Sequence, residues 1–357
     1  MNSSTCRSLL LSPLVAVLGV AMANAQQTTT IVCDRDNTLY QDSGGSFSNG
    51  LGDSVFCGVT ALARLRRALV HFDVAGSFAP GTKILAASLR LQVIFSGAPG
   101  ATPVGLHRVL QDWGEGTSFA TAGGGGIGAP STVGDATWLH TRYATSFWTT
   151  PGGDFVPTPT CTLSMPVGGP FSSDAADAGA LADELQRWLD GSVPNHGWLL
   201  KTDEVSPSAR ARRLASRESG GSGPELVVDF LAPGQTGVWG TGCGALAPTT
   251  QWLGVPAPGG AVVLEDTATA GSVGWHVFAF RLVPGGVPIG SGCSSYLPLD
   301  ELIVANGFVV GPSGVETLVL PIPVGLTPTL LVAQTAVLDP AGPFGLAPGN
   351  AALLVTQ

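Results

Sequence analysis

Glycine and proline punctuate this chain from end to end: 50 glycines and 27 prolines are spread through 357 residues. Glycine weakens a helix and proline breaks one, so apolar residues have room only in short extended segments between turns. There is no Gly-X-Y period, which excludes a collagen-like triple helix. Hydrophobic residues still make up 44% of the chain, too many for a disordered polypeptide. Only 11% of residues are charged, against about 25% in an ordinary soluble domain. The expectation is an all-β chain, long enough for two domains that each bury a core. A net charge of -9 argues against a nucleic-acid partner, because phosphate backbones are held by clustered Lys and Arg.

Arg7 is the only charge before Asp34, and residues 9–23 are apolar apart from Ser12 and interrupted by Pro13. That run is too short to span a bilayer, and Ala23-Asn24-Ala25 supplies the small residues of a cleavage site. Residues 1–25 therefore read as a signal peptide, with the mature chain starting at Gln26 and a secreted, extracellular product. No second apolar stretch of about 20 residues free of Gly and Pro follows, so no transmembrane segment is expected. Export implies an oxidising compartment for Cys33, Cys57, Cys161, Cys243 and Cys293. The expected disulfides are Cys33 with Cys57 and Cys243 with Cys293, leaving Cys161 over. No C-x-x-C spacing points to zinc or redox chemistry.

Short or alternating apolar runs bounded by Gly, Pro or Asp recur at residues 29–32, 53–59, 68–74, 87–95, 104–110, 197–201 and 225–231. They predict the strands of a sandwich. Residues 173–191 differ: Leu181, Leu185, Trp188 and Leu189 repeat at helical spacing, Asp174 and Asp177 stand in the first turn, and Gly191 follows the last. One amphipathic helix is predicted there, its apolar stripe packed on the rim of the sandwich. Residues 231–237 read as a linker. Beyond it Arg281 is the only basic residue, and Val and Leu runs alternate with Pro-Gly turns. Residues 233–357 are thus expected to form a second, smaller all-β sandwich domain with little to offer acid–base chemistry.

Several strings in the first part occur in order: Asp36-Asn37-Thr38-Leu39-Tyr40, Arg67-Ala68-Leu69-Val70-His71-Phe72-Asp73, Leu106-His107-Arg108-Val109, Trp113-Gly114-Glu115-Gly116, Asn195-His196-Gly197-Trp198-Leu199-Leu200 and Arg212-Arg213-Leu214-Ala215-Ser216-Arg217-Glu218. Together, over about residues 28–232, they resemble the DNRLRE-type domain grouped with carbohydrate-binding module family ninety-six. The resemblance implies a jelly-roll-like β-sandwich of secreted bacterial proteins that binds polysaccharide, including acidic ones such as alginate. Two features depart from it. Cys33, Cys57 and Cys161 are not part of the pattern, and acidic side chains outnumber basic ones over residues 26–232, so an acidic glycan would need a local basic patch. Residues 233–357 faintly resemble the C-terminal β-domains of planctomycete-type secreted proteins, at Gly240-Thr241-Gly242-Cys243 and over residues 333–340, which implies no activity.

Sugar binding requires aromatic faces for the C–H side of a pyranose and polar groups for its hydroxyls. Trp113, Trp138, Trp148 and Tyr143 lie in turn-rich stretches beside His107, Arg108, Glu115, His140 and Arg142, and these nine residues are the expected ligand-binding set; the competing reading of each tryptophan is core packing. Asp34, Asp36 and Asn37, with Asn49 from a second turn, are the candidate ligands of a structural calcium ion, against a reading as solvated loop residues. Arg64, Arg66 and Arg67 form one basic cluster, and Arg210, Arg212, Arg213 and Arg217 another. Should the two meet in space, they could hold carboxylates or sulfates; otherwise they pair with neighbouring acids. Alternation places Arg64 and Arg66 on one face of their strand and Arg67 on the other.

The five histidines (His71, His107, His140, His196 and His276) fit no metalloprotease motif, and no nucleophile elbow is present. Asp112, Glu115 and Asp135 are the only suggestion of a glycosidase pair, and the Gly123–Gly126 run reads as a flexible turn. The sequence thus points to a secreted, non-catalytic polysaccharide-binding protein. The alternatives are an extracellular structural or adhesive protein and, third, a polysaccharide lyase or hydrolase.

Overall fold

The computed structural model describes residues 26–205 and 210–357, so the leader expected over residues 1–25 lies outside the described residues. Of the chain, 44% is strand and 7% helix. The strand Cys161–Met165 shows why: Cys161, Leu163 and Met165 are buried while Thr162 and Ser164 are exposed, the period of two that a half-buried strand demands. Eleven strands join into one sheet. Its main path runs Gln27–Val32, Glu225–Leu231, Lys83–Ser96, Arg212–Ala215, Ser54–Val59, Leu65–His71, Trp198–Lys201, Thr102–Arg108, Cys161–Met165. Gly169–Ser172 pairs with Lys83–Ser96, and Arg35–Tyr40 with Leu65–His71. Every run expected to be a strand forms one, within a few residues of its expected bounds.

The sheet curls until its two halves share one core, in which Leu89, Leu91, Leu214 and Leu226 of one half join Val70, Val104, Leu106 and Leu200 of the other. The expected helix forms at Ala178–Leu189, after a 3-10 turn at Ala175–Asp177. Its stripe enters the core itself: Leu181 and Leu185 are fully buried, and the Trp188 ring lies 4.5 Å from that of Trp198. Gln186 accepts a 2.8 Å hydrogen bond from the Ile84 backbone, and Glu184 forms a 2.7 Å ion pair with Arg108, fixing the helix to strands of both halves.

Beyond residue 235 the described chain builds three further antiparallel sheets, the smallest being the two-stranded pair Val287–Gly290 with Cys293–Ser295. Thr236–Trp239, Leu346–Val355, Leu330–Leu338, Val273–Ala279 and Ile303–Val309 form a five-stranded sheet, and Thr249–Leu253, Ala261–Thr267 and Val315–Pro321 a three-stranded one. They pack through Trp252, Val262, Leu264, Phe278, Ala333 and Leu354. The stretch read as a linker is a tight turn. Gln235 N–H donates to the Ala232 carbonyl, Gly234 takes φ +81° and its N–H bonds the Val355 carbonyl at 2.8 Å. Leu85 and Leu231 of the first sheet share an apolar cluster with Leu282, Val332, Leu353 and Val355, so packing continues across the turn.

Cys243 and Cys293 are joined in a disulfide, as expected. The expected Cys33–Cys57 bond is corrected: both thiols are free and buried, like that of Cys161. The two cysteines meet Leu65–His71 at opposite ends. Asp34 N–H bonds the His71 carbonyl, whereas Gly58 pairs with Arg66. Five residues of strand separate those points, about 16 Å, well past the span of a disulfide. Burial pushes the Cys57 thiol up to about 12, and the Cys33 thiol rises for the same reason. In protein beginning at Gln26, a thiol reagent should therefore find no reactive cysteine at neutral pH and three after unfolding in guanidinium; rapid labelling of the native protein would contradict this burial.

Candidate ligand-binding cleft

Three adjacent strands set the floor of a cleft on the outer face of the first sheet. Register places Phe95 opposite Arg213 and Arg213 opposite Phe56, so the three side chains stand in one row. Two residues along from Phe56, on the same face, Gly58 pairs with Arg66 and brings in a second cation. Gly58 has φ +114°, and a Cβ there would lie 2.9 Å from the Arg210 carbonyl oxygen, so a side chain would both strain the backbone and crowd the floor. The cleft has a volume of about 430 Å³, with Thr60, Ala61, Gly97, Gly124 and Gly126 on its walls. The glycine run read as a flexible turn is thus one wall, and Gly124 and Gly125 pack against Arg213 and Phe56.

The two cations differ in their partners. Arg213 donates from Nη2 to Asp53 at 2.9 Å and from Nε to the Ser54 hydroxyl at 2.6 Å, which fixes its plane. Arg66 lies 4.7 Å over the Tyr40 ring and donates only to carbonyls, those of Gly126 (3.2 and 3.3 Å) and Leu65 (2.8 Å). Those bonds use three of the five N–H groups of a guanidinium. Among the described residues no carboxylate pairs with it, and burial lowers its pKa, as it does for a cation short of counter-charge. Arg64 and Arg210 are exposed beside the cleft, held by backbone bonds to Thr60 and Val59. The two basic clusters therefore meet, and Phe95, 62% exposed, supplies an accessible ring beside them.

The residues expected to bind ligand lie elsewhere. Trp113, Trp138 and Trp148 are buried in a separate apolar cluster with Leu39, Leu69, Val109 and Leu199. The Leu69 and Leu199 side chains point away from the main core, and the segment after Thr102–Arg108 folds over them, which requires bulky apolar cover. Trp113 Nε1 donates to the His196 carbonyl at 2.8 Å and Trp148 Nε1 to that of Thr137 at 2.9 Å. These rings hold the covering segment down and present no open face for stacking. His107 is buried, with Nδ1 2.9 Å from the Val156 carbonyl, and Arg108 is engaged by Glu184. Arg142 and Arg35 both pair with Asp112. His140 is buried against Tyr143 and Phe147, with Nδ1 2.9 Å from the Thr137 hydroxyl; burial lowers its pKa, and that of His107. None of the nine lines the cleft, and of this group of rings Phe147 is the open one, at 62% exposure.

The expected calcium set is likewise dispersed. Asp34 is exposed and bonds His71 Nδ1 at 2.6 Å. The Asn37 and Asn49 side chains are buried and consumed by the fold: Asn37 donates to the Ser48 hydroxyl and the Glu115 carbonyl, and Asn49 clamps the Ser54 carbonyl and the Ala120 N–H. Asp36 alone of the four faces other acids, Glu115 and Glu218, and burial first, then those two carboxylates, raises its pKa well above the usual carboxylate range. Of the carboxylates considered for catalysis, Asp112 is held by arginines, Glu115 by Arg217, and Asp135 by the backbone N–H groups of Ser118 and Thr132.

Phe56 and Phe95 escaped the sequence reading. Phe56 sits two residues before Gly58, and a β-bulge after Val93 breaks the alternation of Leu89, Leu91 and Val93 and turns Phe95 to the outer face; that bulge depends on pairing with the distant Arg212–Ala215, so no local signal marked the ring. No family model matches the chain, and no curated protein matches it.

Proposed function

We propose that this is a secreted, non-catalytic protein that binds an acidic polysaccharide in the cleft between Phe95, Phe56, Arg213 and Arg66. Arg66 carries the reading: a mostly buried guanidinium without a carboxylate partner, opening on a cleft that has an exposed aromatic ring. A uronate offers both complements, a carboxylate for the free N–H donors and a C–H face for the ring. This is the local basic patch that an acidic glycan requires despite the chain's net negative charge, and it agrees with the resemblance to DNRLRE-type modules. The leader-like residues 1–25 and the Cys243–Cys293 disulfide support export.

The test is titration calorimetry of the protein from Gln26 onward with oligouronates and with a neutral glucan. Binding is expected for the uronates and should weaken as salt rises. Arg213→Ala removes the cation whose side chain is more exposed, and is expected to lower affinity at least tenfold, about 1.5–3 kcal/mol for a charged hydrogen bond, with little change in melting temperature. Undiminished binding by Arg213→Ala, or none by the wild type, would refute the assignment.

An adhesive or structural role has one specific observation in its favour. An apolar cleft of about 500 Å³ lined by Phe278, Phe280, Leu318, Leu320 and Leu331 opens at one end of the C-terminal sheets, beside the exposed Ile303 and Val304. Concentration-dependent association in sedimentation, abolished by Phe280→Ser, supports that reading; a monomer at all concentrations removes it.

A further inference from the structure

We propose that Asp36, Glu115 and Glu218 bind one divalent cation, calcium in an extracellular setting. This site is separate from the glycan cleft. Asp36 lies on Arg35–Tyr40, Glu115 in the segment that covers the outer face, and Glu218 just after Arg212–Ala215, so the site gathers three parts of the chain far apart in sequence. One ligand oxygen from each lies within 4.8 Å of the other two.

Two observations single it out from an ordinary group of acids. The first is Asp36 itself: the residue is fully buried, its Oδ2 accepts the Arg217 backbone N–H at 2.7 Å, and its Oδ1 has no partner. A buried carboxylate oxygen without a donor is costly, and a cation would satisfy it. The second is charge. Arg217 is the cation in the cluster: Nε and Nη2 hold Glu115 at 2.7 and 2.8 Å, and Nε is 2.9 Å from Glu218. With all three carboxylates ionised, as metal binding requires, one guanidinium leaves two negative charges, which one divalent ion would neutralise.

The donor type selects the ion. All three donors are carboxylate oxygens, without nitrogen or sulfur, which suits a hard cation such as Ca²⁺, with water completing its six to eight ligands. Glu115 Oε1 also accepts the Asp36 N–H at 2.8 Å, and Glu218 Oε2 accepts the Ser216 hydroxyl at 3.2 Å, so two of the donors are already oriented. Binding would tie the covering segment to the sheet that it covers, and metal affinity would appear as folding stability.

The experiment is calorimetry with CaCl₂ on protein from Gln26 onward that has been stripped with EDTA, together with melting curves in CaCl₂ and in EDTA. One ion per chain and a higher melting temperature with calcium are expected. Glu218→Gln should weaken calcium binding by about tenfold or more while leaving the melting temperature in EDTA equal to or above that of the wild type, because it also relieves repulsion. Asp36→Asn should abolish binding. No heat of binding together with identical melting curves in calcium and EDTA would overturn the proposal, as would wild-type affinity in Glu218→Gln. Glycan binding is measured separately in EDTA, so failure of either site is distinguishable from failure of the other.

Discussion

Trp113→Ala is expected to lower the unfolding free energy by about 3–5 kcal/mol, the range for deleting a buried tryptophan side chain. The ring is fully buried between Leu39, Leu69 and Leu199, and its removal opens a cavity beneath the covering segment. Two further losses act in the same direction. The His196 carbonyl loses the indole N–H, and the Arg35 guanidinium, 4.7 Å over the ring, loses its stacking partner. At about 2–4 °C per kcal/mol for a domain of this size, the melting temperature should fall by about 10 °C, as read by calorimetry. Affinity for oligouronates, measured well below that transition, should stay near the wild-type value, because the Phe95–Arg213–Phe56 row lies on other strands. The reverse pattern, lost binding with unchanged melting, would return Trp113 to the role of a sugar platform and remove the cleft from the argument.

That contrast also shows where the sequence was legible. Periodicity identified the strands and the helix, because each is a local property: Leu181, Leu185 and Trp188 share a helical face whatever lies beyond. The burial of the tryptophans was legible too, though indirectly. Ala68-Leu69-Val70 and Trp198-Leu199-Leu200 are continuous apolar runs rather than alternating ones, which marks strands covered on both faces. Something apolar therefore had to lie over Leu69 and Leu199, and the tryptophan-bearing segment does so.

Pairings between distant segments were not legible. Alternation correctly separates Arg66 from Arg67: Arg66 lines the cleft, whereas Arg67 turns to Glu204 and the Gly152 carbonyl. Nothing local to either strand states that Arg213 will stand beside Phe56, since that depends on long-range register. The same gap explains the cysteines. Cys33 and Cys57 are near in sequence, but one lies where its chain reaches the end of Leu65–His71 and the other beside its start. The acidic cluster needed three separate segments to converge; of its members the sequence offered Asp36 as a metal ligand, beside Asp34, Asn37 and Asn49, and Glu115 in other roles.

The second large effect is expected far from either site. In a region with few charges, His276 Nε2 lies 2.7 Å from Asp266 Oδ2, and Thr250 donates to Asp266 Oδ1 at 2.6 Å. His276 belongs to the five-stranded sheet, Asp266 and Thr250 to the three-stranded one, so this buried group joins the two layers. Phe308 stacks on the imidazole at 4.5 Å and closes it from solvent. Asp266→Ala leaves a ring nitrogen and a hydroxyl buried without partners, at a cost of about 3 kcal/mol. Replacing both members, Asp266→Leu with His276→Leu, removes the unsatisfied ring nitrogen together with its partner and restores apolar contact between the sheets. The double variant should therefore melt well above Asp266→Ala, since a buried polar pair costs most when half of it remains. If the two substitutions instead destabilise additively, His276 and Asp266 act independently and the layers are held by Trp252, Leu264 and Phe278 alone. Oligouronate affinity should be unchanged in both variants, because none of these residues lines the Arg66 cleft.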